Sequence, residues 1–320
     1  MKRQKYIITT TRLDSQGYRM TKSALEKALQ SINGPRKMRL GLEHIRTFPP
    51  FGVVMNGEMY QGEDKEYYLC ADNVFFDKRD FFILEDETQL VKEYFSEGNF
   101  PFIECEGGEI DKLNIATDPA NYESHKEIFE LNKIVSEYSG LEFTESGIGR
   151  KSQLPDPETI ITITKTIAIS LGIIKTKIPE KIGEAIAEDL VKFYKLISRL
   201  AIETIKKVKP SNRPTTFVIV YPNDECNIEL VITTNKPDKV LASIGKEKLN
   251  SIENKIQQLQ NLHPEKIQFI YNEREQWEFN YLLSNDGSTV GTIKSFNKRN
   301  QLYNEILKKQ DESEKGNSQR

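Results

Sequence analysis

Two short segments carry the side chains whose types and spacing could do chemistry together, LGLEHIRTFPPFGVV at 40–54 and KLNIATDPANYES at 112–124. His44, one of three histidines, lies where a strand-like run gives way to Arg46-Thr47-Phe48-Pro49-Pro50, before strand character resumes at Val53. An imidazole fixed at a strand end by a stiff proline turn is well placed as a general base. Such a base needs a hydroxyl to activate. Asn114 heads the second segment, and a carboxamide has no ionisable hydroxyl, so acyl-enzyme chemistry cannot begin there. Other hydroxyls lie near. Thr117 falls three residues on, where strand alternation turns it to the opposite face; Ser96 sits at a predicted helix end and Ser124 at a predicted helix start, where exposed or capping roles suit them. His125 and His263 occupy helical or pre-proline polar contexts and read as surface residues.

Three further groupings have simpler explanations. Glu104, Glu106, Glu109 and Asp111 crowd a Gly-Gly turn; carboxylate oxygens can hold a hard cation, but EF-hand spacing is missing and a solvated acidic turn fits better. Lys206, Lys207, Lys209 and Arg213, with Lys236 and Lys239 further on, form a local basic patch. It has no interleaved aromatics, so a solvated helix end that suits the helix dipole is the expected role. Cys70, Cys105 and Cys226 are odd in number and widely spaced. They read as buried or half-buried thiols, neither a disulfide framework nor a zinc set. No metal or cofactor is expected, and GSTVG and SGIGR lack the strand-loop-helix setting of a phosphate cradle.

The elements that must position these residues form two halves. KYIITTT at 5–11 reads as a strand and TKSALEKALQSI at 21–32 as a helix, capped by Thr21 and ended by Asn33-Gly34-Pro35. MRLGLEH, FGVVMNGEMY, EYYLCADNVFF, FFILED and DKLNIAT read as strands, interrupted by a predicted helix over 88–98. The balance is α+β and β-rich, a small barrel or curled sheet. A helix at 123–138 leads into a Gly, Ser and Pro-rich stretch taken as a linker at 141–155, which separates a domain over 1–140 from a second over 156–309. The second half is α+β, with long helices and an antiparallel sheet. PETIITITKTIAISLGI reads as a helix, followed by one striped by Ile182, Ile186, Leu190, Phe193, Leu196 and Leu200. A hairpin over 215–234, a helix at 246–262, three strands (IQFIYNE, QWEFNYLLSND, STVGTIKSF) and a last helix follow, and 310–320 is too polar to fold alone.

The chain has 320 residues, a formal net charge of −3 and 37% hydrophobic residues. That length allows two cores, and that balance of charge offers no global field for nucleic acid. The N-terminus is too short and polar in its apolar run for a secretory signal, which implies a cytoplasmic location. Residues 159–174 are shorter than a membrane span needs and carry Lys165, so no span is expected.

The N-terminal region resembles the prohead (capsid maturation) serine proteases of tailed phages. TRLDSQGYRMTKSALEKAL at 11–29 resembles the family's first strand, Asp-x-x-Gly-Asp turn and helix. LEHIRTFPPFGVV matches its histidine segment through His44, Pro50, Gly52 and Val53, and LNIATDPANYES matches the nucleophile segment through Pro119, Ala120 and Asn121. In that register Asn114 takes the serine position. The family's third member, a carboxylate, has no unique counterpart, although Glu130, Glu137 and Glu142 are available. The resemblance covers about residues 8–124 and implies a prohead-protease-like fold that has lost its nucleophile. His44 would then be a vestigial base shaping a cleft with Pro50, Gly52, Pro119 and Asn121, a cleft that takes a protein or peptide in assembly, scaffolding or sensing in a phage-related or phage-defence setting; a homo-oligomer is compatible with this reading. The alternative is a serine-type or self-cleaving peptidase that uses His44 with a displaced nucleophile.

Overall fold

The computed structural model describes residues 3–13, 19–42, 44–105, 110–148, 157–173, 183–211, 213–222 and 226–317. Helices and strands both contribute throughout, so the α+β class holds. The chain divides into two compact units that do not follow chain order: residues 1–12, 20–103 and 280–320 make the first, and 13–19 with 104–279 make the second. The division expected at 141–155 therefore falls inside the second unit.

In the first unit, β1 (Arg3–Thr10), β2 (Met38–Leu40), β3 (Gly52–Gln61) and β4 (Tyr67–Phe75) form an antiparallel sheet in the order β1-β4-β3-β2. Among the described residues β1 and β2 stand at the ends of this sheet, so of the two expected forms it is not a closed barrel. Helix α1 (Lys22–Asn33) is capped as the sequence implied, Thr21 Oγ1 accepting from Ala24 N at 3.1 Å. It lays Leu25 and Ile32 against Val54, Leu69 and Ala71, a small core whose burial is the main force joining helix to sheet. A second set of strands in this unit runs β5 (Lys78–Ile83), β6 (Gln89–Tyr94) and β14 (Thr289–Thr292), paired antiparallel in that order.

The predicted helix at 88–98 is thus the strand β6. Its centre pairs on one side with β5 and on the other with β14, and Leu90 and Val91 are buried; two flanking strands satisfy its backbone and override a weak local helical preference. Helix α7 (Ile293–Asn317) begins inside the expected strand STVGTIKSF, because Thr292 Oγ1 accepts from Ser295 N at 3.2 Å and starts the helix there. The same helix runs to Asn317, into the segment read as unfolded tail.

In the second unit β7 (Asn114–Thr117), β8 (Thr144–Gly147), β9 (Glu158–Thr162), β10 (Thr215–Tyr221), β11 (Asn227–Thr234) and β12 (Pro264–Tyr271) follow the order β12-β11-β10-β9-β7-β8, a mixed sheet in place of the expected antiparallel one, since β9–β10, β11–β12 and β7–β8 pair parallel. β13 (Trp277–Ser284) crosses from one unit to the other. The hairpin over 215–234 is present as the antiparallel pair β10 and β11; its Asn223-Asp224-Glu225 turn lies outside the described residues. The long helix expected over 157–173 is instead β9, followed by the short α3 (Lys165–Ser170) capped by Thr164. The β-branched run Thr159-Ile160-Ile161-Thr162 fits a central strand, and β10 and β7 flank it. Part of the expected linker is β8.

Helices α2 (His125–Ser139), α4 (Gly183–Lys207), α5 (Pro237–Ser243) and α6 (Lys246–Gln260) complete this unit. The α4 stripe buries Phe193, Leu196 and Leu200; Ile182 and Ile186 lie outside the residues whose side chains are described. Among the described residues no helix is long and apolar enough to cross a membrane.

Candidate functional site

His44 belongs to the first unit, in the connection from β2 to β3. Its backbone takes the left-handed conformation, φ 59°, four residues past the end of β2, and its side chain is exposed. The loop around it is held by its carbonyls. Tyr281 Oη donates to Arg46 O at 3.0 Å, Asn280 Nδ2 donates to Thr47 O at 2.7 Å, and Arg299 Nη1 donates to Pro50 O at 2.6 Å. Prolines supply no N–H, so the turn must be fastened through its oxygens. Pro50 is buried, and a Cβ on Gly52 would lie 1.9 Å from Val74 O, so only glycine lets β3 meet β4 there.

Arg299 is itself buried, with its guanidinium against Phe51 and Phe296 and ion-paired to Glu93 Oε2 at 3.0 Å. Burial pulls its pKa below the usual arginine value, against the pull of Glu93. Arg79 also pairs with Glu93. Sequence reading passed over this cluster, since nothing local distinguishes Arg299 from the other charged residues of a polar helix.

Asn114, Pro119 and Asn121 belong to the second unit, so the two halves of the expected catalytic pair fall in different compact units. Asn114 opens β7 with its carboxamide occupied at both ends: Nδ2 donates to Thr144 Oγ1 at 2.9 Å and Oδ1 accepts from Ser146 Oγ at 3.0 Å. Those bonds staple β7 to β8. Thr117 is buried on the face away from Asn114. Asn121 is buried and its carbonyl accepts from Lys209 N at 3.0 Å. The adjoining Tyr122 phenol is pushed up to about 12 by burial.

Most of the other candidate hydroxyls and carboxylates have structural partners. Ser96 Oγ donates to Asp77 Oδ2 at 2.8 Å, and bonds from the Ser96 backbone and hydroxyl hold that carboxyl below its ordinary value. Ser124 stands at the N-cap position of α2, where its hydroxyl makes no capping hydrogen bond. Glu130, Glu137 and Glu142 pair with Lys126, Lys133 and Lys112 at 3.8, 3.9 and 3.9 Å. Of the acidic turn, Glu104 pairs at 3.6 Å with Lys266, which also meets Glu229 at 3.1 Å in the interior. Glu106 and Glu109 lie outside the described residues, among which no cluster of three or more His, Cys, Asp or Glu side chains could hold a metal ion. Lys209 pairs with Glu123 at 2.9 Å, Lys207 with Glu130 at 4.0 Å and Lys239 with Glu275 at 3.5 Å, so much of the basic patch is neutralised locally.

A groove of about 260 Å³ opens between α2 and the β7–β8 edge. Thr117 and Pro119 contribute from the end of β7, His125, Ile128, Phe129 and Asn132 from α2, and Glu145 to Gly147 from β8. Within the described residues β8 ends its sheet. Thr144 N donates to Leu113 O at 2.8 Å and Ile148 N to Thr117 O at 2.9 Å. Parallel pairing alternates, so the peptide groups of Glu145 and Gly147 face outward. Sequence reading missed this site because 141–155 had the composition of a linker. No family model, no curated protein and no solved structure matches the chain.

Proposed function

We propose that this chain is a non-catalytic, prohead-protease-like protein that binds a protein or peptide segment in extended form. The observation that carries the reading is the end strand β8, whose four residues are all exposed and which borders the groove along α2. An unpaired strand edge recruits an extended chain through main-chain hydrogen bonds, while an adjoining pocket selects its side chains. Support also comes from Asn114, whose carboxamide is used to join β7 to β8 and brings no nucleophile. The resemblance to prohead proteases supplies the setting: assembly, scaffolding or sensing in a phage-related or phage-defence context.

The test uses the full chain, its His44→Ala and Asn114→Ser variants, and a randomised peptide library read for both retention and cleavage. Retention of extended peptides without cleavage, unchanged in His44→Ala and with no cleavage gained in Asn114→Ser, is the expected result. Cleavage by the unaltered chain that disappears in His44→Ala would overturn the proposal and establish a peptidase with a displaced nucleophile.

A further inference from the structure

We infer that the groove beside β8 is a pocket for an arginine or lysine side chain carried by the bound extended peptide. The inference rests on the peptide-binding reading above and adds the chemistry of its partner. A strand added to β8 would turn every second side chain toward α2, the face that Thr117, Glu145 and Gly147 share. There Ile128 and Phe129 offer an apolar wall, and Phe129 is 65% exposed, leaving its ring open to contact. Asn132, by contrast, is 2% exposed, and its Oδ1 is buried with no hydrogen-bond partner.

A buried acceptor without a donor is costly and calls for a donor from the occupant. Glu145 is the acidic group lining the groove, and its side chain is exposed. An apolar stem ending in donors and positive charge satisfies all of these at once: the stem lies on Ile128, the cation faces the Phe129 ring and Glu145, and a donor reaches Asn132. An acidic side chain would oppose Glu145. An apolar one would leave Asn132 unpaired.

Fluorescent N-acetyl pentapeptide amides of sequence Thr-Val-X-Val-Thr, with X as Arg, Lys, norleucine or Glu, are titrated into the full chain by anisotropy. The Arg and Lys peptides are expected to bind about tenfold tighter than the norleucine peptide, equivalent to about 1.4 kcal/mol, and the Glu peptide weakest. Asn132→Leu and Glu145→Gln should each narrow the gap between the Arg or Lys peptide and the norleucine peptide. Glu145 is exposed, so Glu145→Gln keeps the test decisive even if Asn132→Leu fails to fold. Gly147→Pro removes an outward N–H at a position where a Cβ would meet nothing within 4 Å, and should weaken all four peptides. Equal binding of all four, lost in Gly147→Pro, overturns the pocket and leaves the edge-binding reading standing. No binding, or binding indifferent to Gly147→Pro, overturns both.

Discussion

Arg299 and Pro50 are joined by a 2.6 Å hydrogen bond although 249 residues separate them in the chain. The bond fastens α7 to the proline turn beside His44, and the same guanidinium neutralises the buried Glu93. Arg299→Ala leaves that carboxylate with Arg79 alone and should destabilise the chain by about 3–5 kcal/mol, the usual cost of breaking a buried pair. Arg299→Lys keeps charge but not the fork and should recover only part of the loss. Urea denaturation midpoints decide it; a loss below about 1 kcal/mol would show that solvent already screens the pair.

Gly52→Ala places a methyl 1.9 Å from Val74 O, a backbone atom that cannot rotate away. β3 must then part from β4 or shift its register. A loss of at least about 3 kcal/mol is expected, near the top of the range for single substitutions. Slower protection loss in hydrogen exchange at Val53 and Val54 than elsewhere would contradict this account.

Lys266 and Glu229 form an interior ion pair at 3.1 Å, to which Gln268 adds a bond to Glu229 at 2.8 Å. Lys266→Met alone takes this cation from beside Glu229 and Glu104 and should cost about 3–5 kcal/mol, whereas Lys266→Met with Glu229→Leu should recover part of that loss. Thermal unfolding of the two variants separates these outcomes. Equal losses would mean that the pair is not the source of the cost.

Tyr122 sets an alkaline limit. Its folded pKa, about 12, lies above the ordinary value of 10.0, because burial disfavours the phenolate. The stabilisation linked to keeping its proton is therefore complete below pH 10 and is lost as pH rises through about 12. Ultraviolet titration should show a late-ionising tyrosine that disappears in Tyr122→Phe, and that variant should flatten stability across the window. Early titration of every tyrosine would remove this explanation.

Much of the local structure was legible in the residues. Thr21 capped its helix, the apolar stripe on α4 reported a buried face, and the hairpin over 215–234 followed from two β-branched runs around a polar turn. The failures share one cause. Leu90, Val91 and the Thr159-to-Thr162 run sit in strands flanked on both sides, and pairing partners distant in sequence outweighed their local preference. Thr144-Glu145-Ser146-Gly147 reads as linker by composition, and only pairing with β7 makes it a strand.

For the candidate site the division is sharper. The amino-acid order alone shows that Asn114 brings no hydroxyl for acyl-enzyme chemistry, because that depends on the chemistry of one side chain. It also determined the α+β class, because periodicity is local. Long-range folding puts His44 and Asn114 in different compact units, fastens the turn after His44 with Arg299, and lines one groove with Asn132 and Glu145. Such juxtapositions are set by long-range strand pairing and burial, which no window of the chain contains.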